Sequence, residues 1–182
     1  MMKSALYVLG LLLACLPMRH SPEKLLKEAT VSLPEAVEKA LPEIKDGNAI
    51  AARLKEDKGR VLFLVSIAQG ESTVRMAIDA KTKEIVEKTT LKKSYVKLLG
   101  ASKLSLAKAV EAATLKVPGK ATRVSFELKK GKPVAEVMVF KDGKLFEVKL
   151  DAVTGAVLKV EEEDDDDDDG DDDDDDDEDD DD

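Results

Sequence analysis

Leu104-Ser105-Leu106-Ala107-Lys108-Ala109-Val110-Glu111-Ala112-Ala113 reads against Val31-Ser32-Leu33-Pro34-Glu35-Ala36-Val37-Glu38-Lys39-Ala40 at an offset of 73. Further along, Asp151-Ala152-Val153-Thr154-Gly155-Ala156-Val157 reads against Asp79-Ala80-Lys81-Thr82-Lys83-Glu84-Ile85 at an offset of 72. Two matches at nearly one offset mean one unit written twice, with a single residue of length difference between the copies.

Each copy opens with a serine ahead of a helical pattern. Ser32 and Ser105 suit the N-cap, where the side-chain oxygen accepts an otherwise orphaned backbone N–H, and Pro34 is tolerated in the first turn because its missing donor has no partner there. Leu33, Val37 and Ala40 share one helical face, as do Leu106, Val110 and Ala113, so each helix needs a sheet to cover. Three strand-like stretches follow in each copy: 51–55, 61–68 and 73–78, then 122–129, 133–140 and 145–150. In the second copy Val124, Phe126 and Leu128 alternate with polar residues at the period of a strand. Asp57-Lys58-Gly59, Gln69-Gly70-Glu71, Lys130-Gly131-Lys132 and Asp142-Gly143 supply the turns. After each Asp-x-x-Thr segment, Ile85-Val86 or Val157-Leu158 continues as a short strand. The reading is an α+β protein of two repeated modules, each a helix packed on a small antiparallel sheet, followed by a disordered acidic tail.

The 182 residues include 39 acidic and 29 basic groups, a formal net charge of -10. The charge falls in three blocks. Residues 161–182 hold 21 of the acidic groups, which leaves 18 against 29 basic residues in the rest. Residues 21–89 are balanced at 12 and 12, whereas residues 90–160 hold 15 basic and 6 acidic groups. With no Trp and few aromatics, each copy must close a small core on Val, Leu, Ile and Ala. The domain bounds expected from these shifts are 1–20, 21–89, 90–160 and 161–182.

Met1-Met2-Lys3 is a short positive start, and Ala5 to Leu16 is an apolar run of the length of a signal h-region, short for a stable membrane span. Export is therefore expected, to the periplasm, the cell envelope or the medium. Leu12-Leu13-Ala14-Cys15 is close to a permissive lipobox, which would make Cys15 the lipidated first residue of the mature chain and attach it to a membrane; an ordinary secretory leader is the alternative. One cysteine allows no intrachain disulfide, and one histidine, His20, allows no His-based triad and no Cys/His zinc cluster.

The serine-leucine start with an Ala-Val helix (Ser32 to Ala40, Ser105 to Ala113), the strands joined by Gly-containing turns, and the closing Val148-Lys149-Leu150-Asp151-Ala152-Val153-Thr154-Gly155-Ala156-Val157-Leu158 resemble the PepSY family in tandem. The first copy departs from the pattern at Lys83, which stands where the Asp-x-x-Thr-Gly turn has glycine. The resemblance implies a small α+β module outside the cytoplasm, no catalytic motif, and a role in inhibiting or regulating a peptidase. Since no peptidase domain follows, that peptidase would be a separate partner. The residues agree: Asp79 and Asp151 fit turns in which side chains satisfy backbone groups, and no serine or lysine spacing marks an activated nucleophile. The chain is read as a non-enzymatic extracytoplasmic interaction module.

The alternative function sits in the tail. Asp164, Asp165, Asp166, Asp167, Asp168, Asp169, Asp171, Asp172, Asp173, Asp174, Asp175, Asp176, Asp177, Glu178, Asp179, Asp180, Asp181 and Asp182 crowd carboxylates that attract hard cations, so low-selectivity binding of Ca or Mg, or of a mineral surface, is the second reading. No cofactor is required by either reading. The same tail is a polyanion placed directly after a basic block, with Lys129, Lys130, Lys132, Lys141, Lys144 and Lys149 nearest to it; folding back onto that block would compete with an anionic partner. Nucleic acid is not an expected partner, because the basic half has neither interleaved aromatics nor a reader motif.

Overall fold

The computed structural model describes residues 21–163. In chain order they form helix α1 (Pro22–Glu28), helix α2 (Leu33–Ala40), a 3-10 turn (Leu41–Glu43) and strands β1 (Asn48–Asp57), β2 (Arg60–Gln69), β3 (Ser72–Asp79) and β4 (Ile85–Leu91). The order then repeats with α3 (Val96–Ala101), α4 (Leu106–Lys116), β5 (Lys120–Lys129), β6 (Lys132–Lys141), β7 (Lys144–Asp151) and β8 (Val157–Glu163). The strands of the second unit start at 120, 132, 144 and 157 against 48, 60, 72 and 85 in the first, a uniform offset of 72, while α4 starts at 106 against 33 for α2, an offset of 73. The single residue of difference therefore falls between helix and first strand. There Pro42 turns the end of α2 into the 3-10 turn, whereas α4, with no proline until Pro118, runs on to Lys116.

The helix starts follow from their caps. Ser32 accepts from the Glu35 N–H while the Glu35 carboxylate accepts the Ser32 N–H at 2.8 Å, a reciprocal capping box. Ser105 accepts from the Lys108 N–H without the reciprocal acid. Just before each cap the chain is stitched to the far side of its unit. The N–H groups of Thr30 and Val31 donate to the Ala80 carbonyl at 2.9 and 3.0 Å, and those of Lys103 and Leu104 to the Ala152 carbonyl, both at 2.9 Å. Ala80 and Ala152 are fully buried.

Two separate small sheets were the sequence expectation, and that is corrected: the strands form one eight-stranded antiparallel sheet in the order β4-β3-β2-β1-β5-β6-β7-β8. The units join through β1 and β5, with Ala51 opposite Ser125, Ala52 opposite Val124 and Arg53 opposite Arg123. Ala52 and Val124 occupy equivalent positions in the two copies, so an internal two-fold passes between them and each unit offers the other the same edge. The physical reason is the free row of N–H and C=O groups that each unit carries on its first strand, which the partner satisfies. The core is likewise continuous: Leu33, Val37, Phe63 and Ile67 of the first unit and Leu106, Val110, Val124 and Val137 of the second belong to one buried cluster under the helices.

Helices α1 and α3 were not foreseen. The closing strands β4 and β8 are seven residues each, longer than the short continuations expected, so the 89/90 boundary falls inside β4. The acidic block was expected to be disordered from residue 161, but Glu161, Glu162 and Glu163 extend β8 opposite Glu147, Phe146 and Leu145. Lysines on the neighbouring strand offset their charge: Lys144 meets Glu162 at 2.5 Å and Lys149 meets Glu161 at 3.5 Å.

Candidate interaction groove between the two units

Because the units share a sheet, the end of α1 and the start of α2 in the first unit come to lie beside the second half of α4 and the start of β5 in the second. Between them runs a groove of about 430 Å³. Its walls are apolar, from Leu26, Val31, Leu33, Pro34 and Phe63 on one side and Val110 and Ala121 on the other, and its margin is polar, from Thr30, Ser32, Glu35, Thr114 and Lys120. The margin is preorganised. The Thr30 hydroxyl donates to the Lys81 carbonyl at 2.8 Å, the Ser32 hydroxyl to the Glu35 carboxylate at 2.6 Å, and the Thr114 hydroxyl back to the Val110 carbonyl at 2.8 Å. The Ser32 hydrogen bonds hold the Glu35 carboxyl below its ordinary range, so it stays an anion at the groove margin at neutral pH.

Close backbone approach shapes the floor. A Cβ on Gly119 would stand 2.4 Å from the Phe140 carbonyl oxygen and 2.8 Å from Val139 Cγ1, so only glycine lets the chain pass into β5 here. Gly47, its counterpart in the first unit, is equally confined, with Ile67 Cγ2 at 2.6 Å and Ile44 Cγ2 at 2.7 Å. Such a groove suits apolar side chains of a peptide segment whose backbone meets polar groups at the margin.

The aspartates of the two Asp-x-x-Thr segments serve turns, as their sequence context implies. Asp79 Oδ1 accepts the N–H groups of Lys81 and Thr82 at 2.8 and 3.0 Å, and Asp151 Oδ1 those of Val153 and Thr154 at 2.9 and 2.8 Å. They stand at opposite ends of the sheet, since the internal two-fold reverses the strands of the second unit. Arg60 Nη2 donates to Asp79 Oδ2 at 2.9 Å, and this bond with the two turn N–H groups lowers the Asp79 pKa to about 2. At Asp151 the Thr154 and Val153 N–H groups produce the lowering. Lys83, the departure from the glycine pattern, holds φ 63° where Gly155 holds 77°, and its N–H donates to the Asp79 carbonyl as that of Gly155 does to Asp151. The turn is the same; the lysine is strained into it.

The six lysines nearest the acidic block do not form one surface. Lys129 reaches Glu136 and Glu127, and Lys149 reaches Glu147 at 2.5 Å and Glu161, on the sheet face opposite the helices. Their hydrogen bonds to Glu136 and Glu147 raise both lysine pKa values. Lys141 and Lys144 lie at the end of the sheet where β8 finishes; Lys130 and Lys132 lie at the other end.

Cys15 and the carboxylates from Asp164 to Asp182 fall outside the described residues. Among the described residues no group of three or more His, Cys, Asp or Glu is placed to hold a metal ion, and no helix is long and apolar enough to cross a membrane.

Residues 103–161, from the stitch ahead of α4 to the lysine-paired glutamates of β8, match the PepSY family model, described as peptidase propeptide and YPEB domain. The second unit carries a PepSY-like domain. No curated protein matches the chain. Among solved structures, a Clostridium difficile 630 protein described as a candidate lipoprotein is similar at 22% identity and a TM-score of 0.48, covering 76% of this chain and 97% of that one. The Bacillus megaterium YpeB C-terminal domain is similar at 16% identity and a TM-score of 0.31, covering 74% of this chain and 66% of that one. Neither likeness is close enough to transfer an activity. The PepSY match supports the sequence resemblance on its better-conforming copy.

The groove itself was missed by sequence reasoning, because its two walls come from different units. Ser21-Pro22-Glu23 ahead of Leu25-Leu26 is an N-terminal helix signal that would have revealed α1 and one wall.

Proposed function

We propose that the chain is an exported, non-enzymatic tandem PepSY interaction protein, and that the seam groove receives a segment of a separate extracytoplasmic peptidase whose activity it restrains. The observation that carries this reading is the groove: a trough floored by buried apolar side chains and edged by fixed polar groups, made by both units and adjoining the PepSY-like domain. The tandem assignment is supported by the uniform offset of 72 across all four strands. Export is supported by the apolar run ahead of Leu16.

The test is titration of extracytoplasmic peptidases from the source cell with the full chain and with Thr114→Arg, which crowds the groove margin from a partly exposed position. Saturable one-to-one inhibition, weakened tenfold or more by Thr114→Arg with unchanged thermal stability, supports the reading. Turnover of a substrate by the chain alone, or inhibition indifferent to Thr114→Arg, removes it.

A further inference from the structure

The two units differ on the sheet face that turns away from the helices. Leu62 and Leu64 alternate along β2 with Phe63 and Val65 of the buried cluster, so they point to the other face. Ala77 of β3 lies opposite Leu64. Leu62 and Ala77 are only 5% and 4% exposed although neither belongs to the cluster under the helices. Longer side chains shelter them: Lys55 and Asp57 of β1 on one side, Glu87 and Thr89 of β4 on the other, and Arg75 of β3, around a cavity of about 210 Å³.

The strand offset of 72 sets each of these positions against one of the second unit. Leu64 and Ala77 stand where Glu136 and Lys149 face each other. Lys55, Asp57, Arg75, Glu87 and Thr89 stand where the second unit has Glu127, Lys129, Glu147, Lys159 and Glu161. There the charges close on one another: Lys129 meets Glu127 and Glu136, Lys149 meets Glu147 and Glu161, and Lys159 meets Glu161. In the first unit aliphatic side chains replace the central pair, and a cavity takes the place of the network. Among the described residues Lys55, Asp57 and Arg75 take part in no ion pair, and Glu87 accepts only the Thr89 hydroxyl, at 3.2 Å. Arg75 is half-buried between Ser66 and Thr89, its uncharged cross-strand neighbours. A half-buried guanidinium without an acid is a group that an arriving carboxylate satisfies through two parallel hydrogen bonds.

We infer that this cavity is a ligand site for a small apolar zwitterion, the chemistry shared by a free apolar amino acid and a short peptide with free ends. Arg75 takes the carboxylate, Glu87 the ammonium group, and Leu62, Leu64 and Ala77 the apolar side chain. Charge complementarity argues for this occupant. Arg75 and Glu87 are diagonal neighbours across β3 and β4, so unlike charges flank one edge of an apolar floor. A purely anionic ligand is repelled by Glu87 and a purely cationic one by Arg75; a ligand that carries both charges answers both. Lys55 and Asp57 repeat the unlike pair on β1, three strand spacings or about 14 Å from β4, where the far end of a peptide is held. The site is independent of the seam groove, which lies on the helix side of the sheet.

The test titrates the isotopically labelled full chain with leucine, alanyl-leucine and the uncharged N-acetyl-leucine amide, read from backbone amide shifts. Saturable shifts centred on Leu62, Leu64, Ala77 and Glu87, with a midpoint on the order of 1 mM, are expected for a zwitterion of this size. A response to leucine alone assigns the free amino acid, one to alanyl-leucine alone assigns the peptide, and one to both assigns the shared chemistry. The amides of Glu136 and Lys149 in the second unit should stay unmoved. Arg75→Gln should weaken binding about tenfold. Leu64→Glu combined with Ala77→Lys rebuilds the pair seen in the second unit and should abolish binding with thermal stability retained. An equal response to the uncharged amide, shifts that survive the double variant, or no saturable response to either zwitterion overturns the site. Since no peptidase is present, failure here is distinct from failure of the inhibitory reading.

Discussion

Lys83 and Gly155 hold one backbone conformation with two side chains, which makes the cost of a left-handed residue measurable inside a single protein. A side-chain-bearing residue there costs roughly 1 kcal/mol, partly offset by the greater freedom glycine has when unfolded. The Lys83 ammonium lies 4.0 Å from Glu35 with both groups well exposed, so little is lost with it. Lys83→Gly should therefore stabilise by about 0.5 kcal/mol, and Gly155→Ala should destabilise by about 1 kcal/mol. Equal urea midpoints for all three proteins would contradict this. Asp79 offers a second residue-scale prediction. Its folded pKa of about 2 lies below the unfolded value near 3.9, so its contribution is fully present above about pH 4 and disappears as pH falls through 2. Arg60 is 55% exposed at the side chain, which screens the pair and leaves it worth about 1 kcal/mol. Arg60→Gln should lose that amount at pH 6 and progressively less as pH falls through 2, as read from denaturant midpoints; a loss independent of pH would assign Arg60 a packing role instead.

At the scale of elements, helix caps and hairpin turns were legible because their chemistry is local. A serine before an apolar stripe, or Asp-x-x-Thr before a strand, satisfies backbone groups within a few residues of itself. The close approach at Gly119 was not legible, since the obstructing atom is the carbonyl of Phe140 on the next strand. Gly119→Ala should cost about 1–3 kcal/mol by forcing β5 away from β6. Amide hydrogen exchange should show the loss spreading through the β5–β6 ladder. A stability within about 0.5 kcal/mol of the parent, the range of an ordinary surface change, would mean the strands separate freely there. Turn glycines such as Gly131, with no atom near where a Cβ would stand, should respond through φ alone.

At the scale of the molecule, the two units share a sheet and one buried cluster, so residues 21–163 should unfold in a single transition despite the duplication. Calorimetric and van't Hoff enthalpies should agree; two resolved transitions would show the β1–β5 seam to be weaker than either unit. The amino-acid sequence by itself determined the repeated unit, the faces of α2 and α4, the turn chemistry at Asp79 and Asp151, and the concentration of negative charge after residue 160. These depend on periodicity, caps and composition, which act over one element. Only the tertiary structure decided that the units fuse at Ala52 and Val124, that Glu161 to Glu163 belong to a strand, and that Leu26, Phe63, Val110 and Lys120 border one groove. Which strand edge a unit leaves unpaired, and what satisfies it, depends on backbone groups common to every residue, so no residue type announces it in advance.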